Sequence, residues 1–345
     1  MRILVTGHQG YLGSLVVPVL LAAGHEVVGL DTGLFERCRF DGQVSTVPSV
    51  RVDVRDVQPT HVRGFEAIVH LAGLSNDPLG DLDPAVTRAI NYEGTVRLAE
   101  MAKQEGVTRF VFSSTCSVYG AAGDGWLDEN SPCLPVTPYA ESKMRAEVAL
   151  QGLADSGFSP VILRSATAYG ASPFLRFDLV LNNLVAWAVT RGQVLLKSDG
   201  TAWRPIVHAR DIAAAFAAVL AAPVASVHGQ VLNVGQTQEN YRVVELAQMV
   251  ADTVAQSQVV FSPGVTKDAR CYRVDCSKIA RTLTGWKPQW SARRGAEELY
   301  QAYIRAGLQA EDFEGPRFKR IDSLRGLLQS GELEPDLRWR LQPGR

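Results

Sequence analysis

Short apolar, β-branched runs alternate with longer stretches of helical spacing through the first 165 residues. "RILV" at 2–5, "EVVGL" at 26–30, "VRVDV" at 50–54, "AIVHLA" at 67–72, "RFVFSS" at 109–114 and "PVILRS" at 160–165 read as strands. Between them, segments such as 84–104 repeat their apolar positions with a helical period. This alternation predicts an α/β fold, a doubly wound parallel sheet with helices on both faces, because parallel neighbours need a crossover between them. Beyond about residue 170 the rhythm loosens into a helix over 177–191, strands near 193–197, 205–208 and 230–233, and helices near 210–221, 242–255 and 292–307. The pattern therefore divides the chain into a sheet-and-helix domain over 1–170 and a smaller mixed α/β part over 171–310, interleaved with the first. A charged extension over 311–345 has only a thin apolar stripe and reads as a surface-packed segment or subunit contact.

Charge narrows the partners. The 35 basic and 36 acidic residues nearly cancel, so no global field attracts nucleic acid or an anionic membrane. A small discrete ligand is expected instead. No stretch reaches the ~18 apolar residues of a membrane span, and "MRILVTG" reads as a strand entering a turn, so a cytoplasmic protein is expected. The five cysteines, Cys38, Cys116, Cys133, Cys271 and Cys276, are odd in number and form no CxxC pair, which argues against a zinc site and a disulfide framework.

"VTGHQGYLGS" places Gly7, Gly10 and Gly13 after the first strand and at the opening of a helix. Glycines there let the chain turn sharply and let a pyrophosphate approach the helix N-terminus. The next strand ends in Asp31, whose carboxylate suits two ribose hydroxyls and repels a 2′-phosphate. NAD is the expected cofactor and the sheet is of Rossmann type. Pro18 falls inside the expected first helix, where it removes a backbone bond.

Tyr139 and Lys143 in "TPYAESKMRAE" are four apart, so a helix presents both on one face. A nearby ammonium stabilises a phenolate, and a tyrosine so assisted can take the proton of a sugar hydroxyl. Taken together, these motifs resemble the extended short-chain dehydrogenase/reductase superfamily, and within it the nucleotide-sugar epimerases and dehydratases related to UDP-galactose 4-epimerase. The resemblance covers roughly residues 1–300.

It implies a nucleotide-diphosphate sugar as substrate, NAD as cofactor, a homodimer built through the Tyr139 helix, and roles for specific residues. Thr115 would hold the sugar oxygen, Tyr139 would move its proton, and Lys143 would tune the tyrosine. Cofactor contacts would come from Gly7, Gln9, Gly10, Tyr11 and Leu12 in the glycine turn, from Asp31, from Asp53 and Val54 in "DVRD", and from Leu71, Ala72 and Gly73 in "HLAG". Asn91 and Ser113 would join them, as would Tyr139 and Lys143. Ser75, Thr115, Cys116 and Ser117 would face the sugar. "NNL" and "RPIVHARD" imply Asn183, Leu184 and Arg204 at the diphosphate and base, and "DARCYRVDCSK" implies Arg270 and Tyr272. For arginines taken one at a time, such as Arg204 and Arg270, a surface ion pair is the commoner case. The arginine that galactose epimerases carry slightly earlier is absent, with Val265 near its place. "SPFLRFD" at 172–178 is bulkier than in those enzymes, and Phe174, Arg176, Trp187 and Trp203 are candidate pocket residues.

The two residues after Thr115 bear on the reaction. Dehydratases and related decarboxylases carry acidic groups there, whereas this chain has Cys116 and Ser117. A serine hydroxyl needs an activating base and a cysteine acts as a base only as thiolate. The sequence thus favours an epimerase acting at C4 through a 4-keto sugar. A ketoreductase of a nucleotide-linked deoxysugar is the alternative, and a 4,6-dehydratase or a non-catalytic NAD-binding protein fits less well.

Overall fold

The computed structural model describes residues 1–340 except 76–78, 80, 81, 122, 124, 267 and 269. Seven strands form the main sheet: β1 (Arg2–Thr6), β2 (Glu26–Asp31), β3 (Ser49–Arg51), β4 (Ala67–His70), β5 (Arg109–Thr115), β6 (Ser159–Ser165) and β7 (Val231–Val234). Their order is β3-β2-β1-β4-β5-β6-β7, and every pairing is parallel. Strands β4, β6 and β7 are buried at every position, as the unbroken apolar runs require when helices cover both faces. The order reverses between β1 and β4, where Thr6 pairs with both Leu30 and His70. Crossovers leave on opposite faces at such a point and open a crevice at the carboxyl ends of the strands.

The second half supplies β7 to this sheet and builds a smaller layer beyond the crevice. Helix Val180–Arg191 packs against Val243–Thr253 and Ala292–Ala306. Strand Trp203–His208 lies between Thr167–Tyr169 and Asn240–Arg242. A strand that the pattern does not predict, Gln258–Thr266, pairs in parallel with Gln193–Ser198. None of its residues is buried and it includes Pro263 and Gly264, so neither alternation nor composition marks it.

Two local features differ from the expected elements, and a third, Pro18, lies where it is expected. "VRVDV" stops pairing at Arg51, because the Asp53 carboxylate accepts from Arg55 N at 2.8 Å and caps a 3-10 turn over Val54–Asp56. The helical segment 84–104 is one run of Pro84–Arg88, a π turn over Ala89–Glu93, and Gly94–Gln104. Pro18 lies within Gly13–Ala22, and that helix continues through it.

The C-terminal extension is less superficial than its charge suggests. Phe313, on helix Ala310–Glu314, and Phe318, in the turn before helix Arg320–Gln329, enter a ring cluster with Phe177, and Leu324, Leu327, Leu333 and Leu337 are buried in the same core as Leu4 and Ile68. The apolar stripe is thin because few residues carry it, yet Phe313, Phe318, Leu324, Leu327, Leu333 and Leu337 are all inside. Among the described residues no helix is long and apolar enough to cross a membrane.

Candidate active site

A cavity of about 690 Å3 opens where the sheet order reverses, between the glycine turn and the smaller layer. Gly7 adopts φ +72°, and a Cβ there would sit 2.7 Å from Ala72 N. A Cβ on Gly13 would meet Gly7 O at 2.2 Å. Only glycine permits this close turn, which leaves the start of helix Gly13–Ala22 open to the cavity. Asp31 ends β2 and lines the same space. Its two carboxylate oxygens accept from Gln9 N at 3.0 Å and Gly33 N at 2.9 Å, so the acid also fixes the turn. This cradle and its acidic end fit a dinucleotide whose diphosphate meets the helix start and whose ribose meets Asp31.

Gly7, Gln9, Gly10, Tyr11 and Leu12 line the cavity, as do Asp53, Val54, Leu71, Ala72, Gly73, Ser75 and Ser113. Asn91 does not. It is fully buried in the π turn, accepting from Leu74 N at 2.8 Å and donating to Leu74 O and Ser142 Oγ. Its amide therefore shapes the loop after Gly73 rather than meeting a ligand. Thr6 Oγ1 and Thr95 Oγ1 clamp His70 at 2.6 and 2.8 Å, and burial, with the nearby charge of Lys143, lowers that imidazole to about 3. His70 is neutral and structural.

Helix Pro138–Leu153 brings in the tyrosine and lysine. Thr137 caps it by accepting from Ala140 N, and Pro138 occupies its first turn, where no donor is needed. Tyr139 and Lys143 then face the same cavity. Lys143 is 4% exposed, donates to Ser113 O at 2.8 Å and lies 4.6 Å from the centre of the Phe112 ring. Burial lowers its ammonium from 10.5 to about 8, against the opposing charge of Glu147.

Thr115 ends β5 beside them, its Oγ1 3.1 Å from both Ser117 N and Ser117 Oγ, and both residues line the cavity. Cys116 turns the other way, so its expected sugar contact is not what the structure shows. It is 1% exposed, its Sγ donates to Arg164 O at 3.2 Å, and burial pushes the thiol well above its ordinary value. The strand ends at Thr115, whose Oγ1 accepts from Ser117 N and caps a 3-10 turn over Cys116–Tyr119; that turn carries Cys116 into the core while Ser117 lines the cavity.

From the smaller layer, Asn183, Leu184, Arg204, Arg270 and Tyr272 all line the cavity. Asn183 Nδ2 donates to Phe177 O at 2.9 Å. Arg204 and Arg270 share Asp268, at 2.5 and 3.1 Å. Burial raises that carboxyl, but the hydrogen bond to Arg270 and the charge of Arg204 outweigh it and hold it below its ordinary value. The two arginines thus converge, ion-paired to one carboxylate that the sequence reading did not single out. Arg176 donates from Nη1 to Ser75 O and Ser75 Oγ, both at 3.1 Å, and is held by Asp178 at 2.6 Å. Arg320, from the extension, reaches the same cavity. No local signal marks it, because a lone arginine in a charged segment has no motif.

Residues 3–235 match the model of the NAD dependent epimerase/dehydratase family. The chain belongs to that family. A UDP-glucose 4-epimerase of Mycolicibacterium smegmatis is 33% identical over 88% of this chain and 98% of its own. A mouse dTDP-D-glucose 4,6-dehydratase is 26% identical, covering 88% of each chain, and relatives named as decarboxylases match too. Among solved structures, MoeE5 in complex with UDP-glucuronic acid and NAD superposes with a TM-score of 0.75 at 28% identity, over 89% of this chain and all of that one. The chain is thus an NAD-dependent enzyme of Rossmann fold, in a family whose members differ in the reaction that they complete.

Proposed function

We propose that the chain is an epimerase of a nucleotide-activated hexose, acting at C4 through a transient 4-keto sugar. The observation that carries this reading is the end of β5. Thr115 and Ser117 face the cavity with Tyr139 and Lys143, while Cys116 is buried, neutral and aimed at the core. No acid or thiolate follows Thr115, so elimination of water lacks a proton-transfer pair at that position. Bound NAD supplies a reversible hydride acceptor. Tyr139 takes and returns the C4 hydroxyl proton, Thr115 Oγ1 holds the C4 oxygen, and Lys143 keeps positive charge beside the phenolate. Arg204 and Arg270, exchanging Asp268 for a diphosphate, anchor the nucleotide while the ketosugar turns. Proton NMR in heavy water with NAD and a panel of nucleotide sugars tests the reading. An inverted C4 signal without deuterium in the product supports it; deuterium at C3, C5 or C6 overturns it in favour of elimination or enolisation.

We also propose a homodimer built through helix Pro138–Leu153. Val148 stands 65% exposed on that helix, and Leu134 and Val136 are exposed at 60% and 53% just before it, apolar side chains that a second subunit would cover. Val148→Asp is expected to halve the sedimenting mass with little change in fold. A wild-type protein that sediments as a monomer at micromolar concentration removes the dimer.

A further inference from the structure

Arg320 is 6% exposed and opens helix Arg320–Gln329, some twenty residues beyond the segment that resembles the family. Its Nη2 donates to Phe174 O at 3.1 Å, and its Nε has no hydrogen-bond partner among the described residues. The guanidinium lies 4.6 Å from the centre of the Phe35 ring. The carboxylates that feel its charge are Asp178 and Asp31. Asp178 is taken by both Nε and Nη2 of Arg176, and Asp31 by two backbone amides. Burial, and after it the opposing charge of Arg176, lowers Arg320 to about 10. Two buried guanidiniums therefore share one wall of the cavity, and one carries an unmet donor. An arginine is costly to bury in that state unless an anion completes it.

The surrounding contacts aim this arginine deliberately. Phe174 follows Ser172, whose Oγ donates to Tyr11 O in the glycine turn. The remainder of the extension is tied to the loops after β2 and β3: Trp339 Nε1 donates to Thr32 O at 2.7 Å, Arg37 pairs with Glu332 at 2.6 Å, and Arg55 Nη1 donates to Asp336 O at 2.9 Å. The first loop follows Asp31 at the end of β2 and the second carries Asp53, both at the expected adenosine end of the cavity. We infer that the C-terminal extension completes the cofactor site, with Arg320 donating to the diphosphate of NAD. This rests on the cavity being the NAD site and is independent of which sugar reaction follows.

The test uses the full chain stripped of cofactor, with NAD, ADP and adenosine titrated by calorimetry. Arg320→Met keeps an apolar stem over Phe35 and removes the donors. It is expected to weaken NAD and ADP about 10- to 100-fold, the range for hydrogen bonds to a charged group, and to leave adenosine within twofold. Arg320→Gln is a second variant with the same expectation, should methionine impair folding. NAD and ADP affinities within twofold of wild type overturn the inference, as does an equal loss for adenosine, which would indicate distortion of the site rather than a phosphate contact. A wild-type chain that binds NAD while both variants do so equally well removes Arg320 from the site and leaves the epimerase reading intact.

Discussion

Lys143→Met is expected to abolish turnover and yet raise the stability of the ligand-free protein at neutral pH. The ammonium is 4% exposed, and burial lowers it from 10.5 to about 8. Below pH 8 both folded and unfolded chains carry the proton, so the folded state bears the whole cost of the buried charge. That cost lifts as pH rises from 8 to 10.5, where the folded chain releases its proton before the unfolded one. At 1.36 kcal/mol per unit, the cost is on the order of 3 kcal/mol. Losing the hydrogen bond to Ser113 O returns about 1 kcal/mol of it. A net gain of about 1–2 kcal/mol at pH 7 is expected, shrinking to nothing or reversing by pH 10. Turnover should fall by about 10²–10⁴, as for loss of an acid-base group, and Tyr139→Phe should match it without the gain in stability. Denaturant melts at pH 7 and pH 10 decide the matter: a less stable Lys143→Met protein at pH 7 would sink the account. A lysine retained at such a cost in stability is what a stability–activity trade-off looks like in one side chain.

Much of this site could be read in the sequence because its parts are local. The Gly7–Gly13 turn, Asp31 at the end of β2, and the pair Tyr139 and Lys143 each depend on spacing within one element, and spacing is written in the chain. The sheet was legible for the same reason, since buried parallel strands must be continuous apolar runs. What escaped depends on contacts between distant segments. Asp268 matters through Arg204, 64 residues away, and Arg320 through Phe174, 146 residues away. Neither has a periodic or motif context. Cys116 shows the opposite failure. Its position beside Thr115 suggested a sugar contact, but a 3-10 turn begins at Cys116 and buries its side chain. Strand Gln258–Thr266 escaped because a strand with no buried residue, containing Pro263 and Gly264, has no hydrophobic period to detect.

Removing the carboxylate of Glu147 is expected to be among the most destabilising single changes in the protein, although this residue touches no ligand. Glu147 is 2% exposed and lies one helical turn beyond Lys143. Its oxygens accept from Arg164 Nε at 3.1 and 3.0 Å and from Arg164 Nη2 at 2.7 Å, and Ser114 Oγ also donates to it. Arg164 in turn donates to Tyr119 Oη at 3.1 Å, and Tyr119 to Asn233 at 2.8 Å. One ion pair thus pins the helix that carries Tyr139 and Lys143 to β5, β6 and β7 at once. Glu147→Ala leaves a buried guanidinium without its counter-charge, for which about 3–5 kcal/mol is expected. The exposed pair of Glu141 with Arg145 on the same helix, at 2.6 Å, is the internal control. Both partners there are about half exposed, so Glu141→Ala should cost no more than about 0.5 kcal/mol. A double variant, Glu147→Leu with Arg164→Met, should recover most of the loss, because the penalty comes from the unpaired charge rather than from the bond itself. Denaturant unfolding of the three variants distinguishes these terms. If Glu147→Ala cost as little as Glu141→Ala, water would have to reach Arg164, and the helix carrying Tyr139 would not owe its position to this pair.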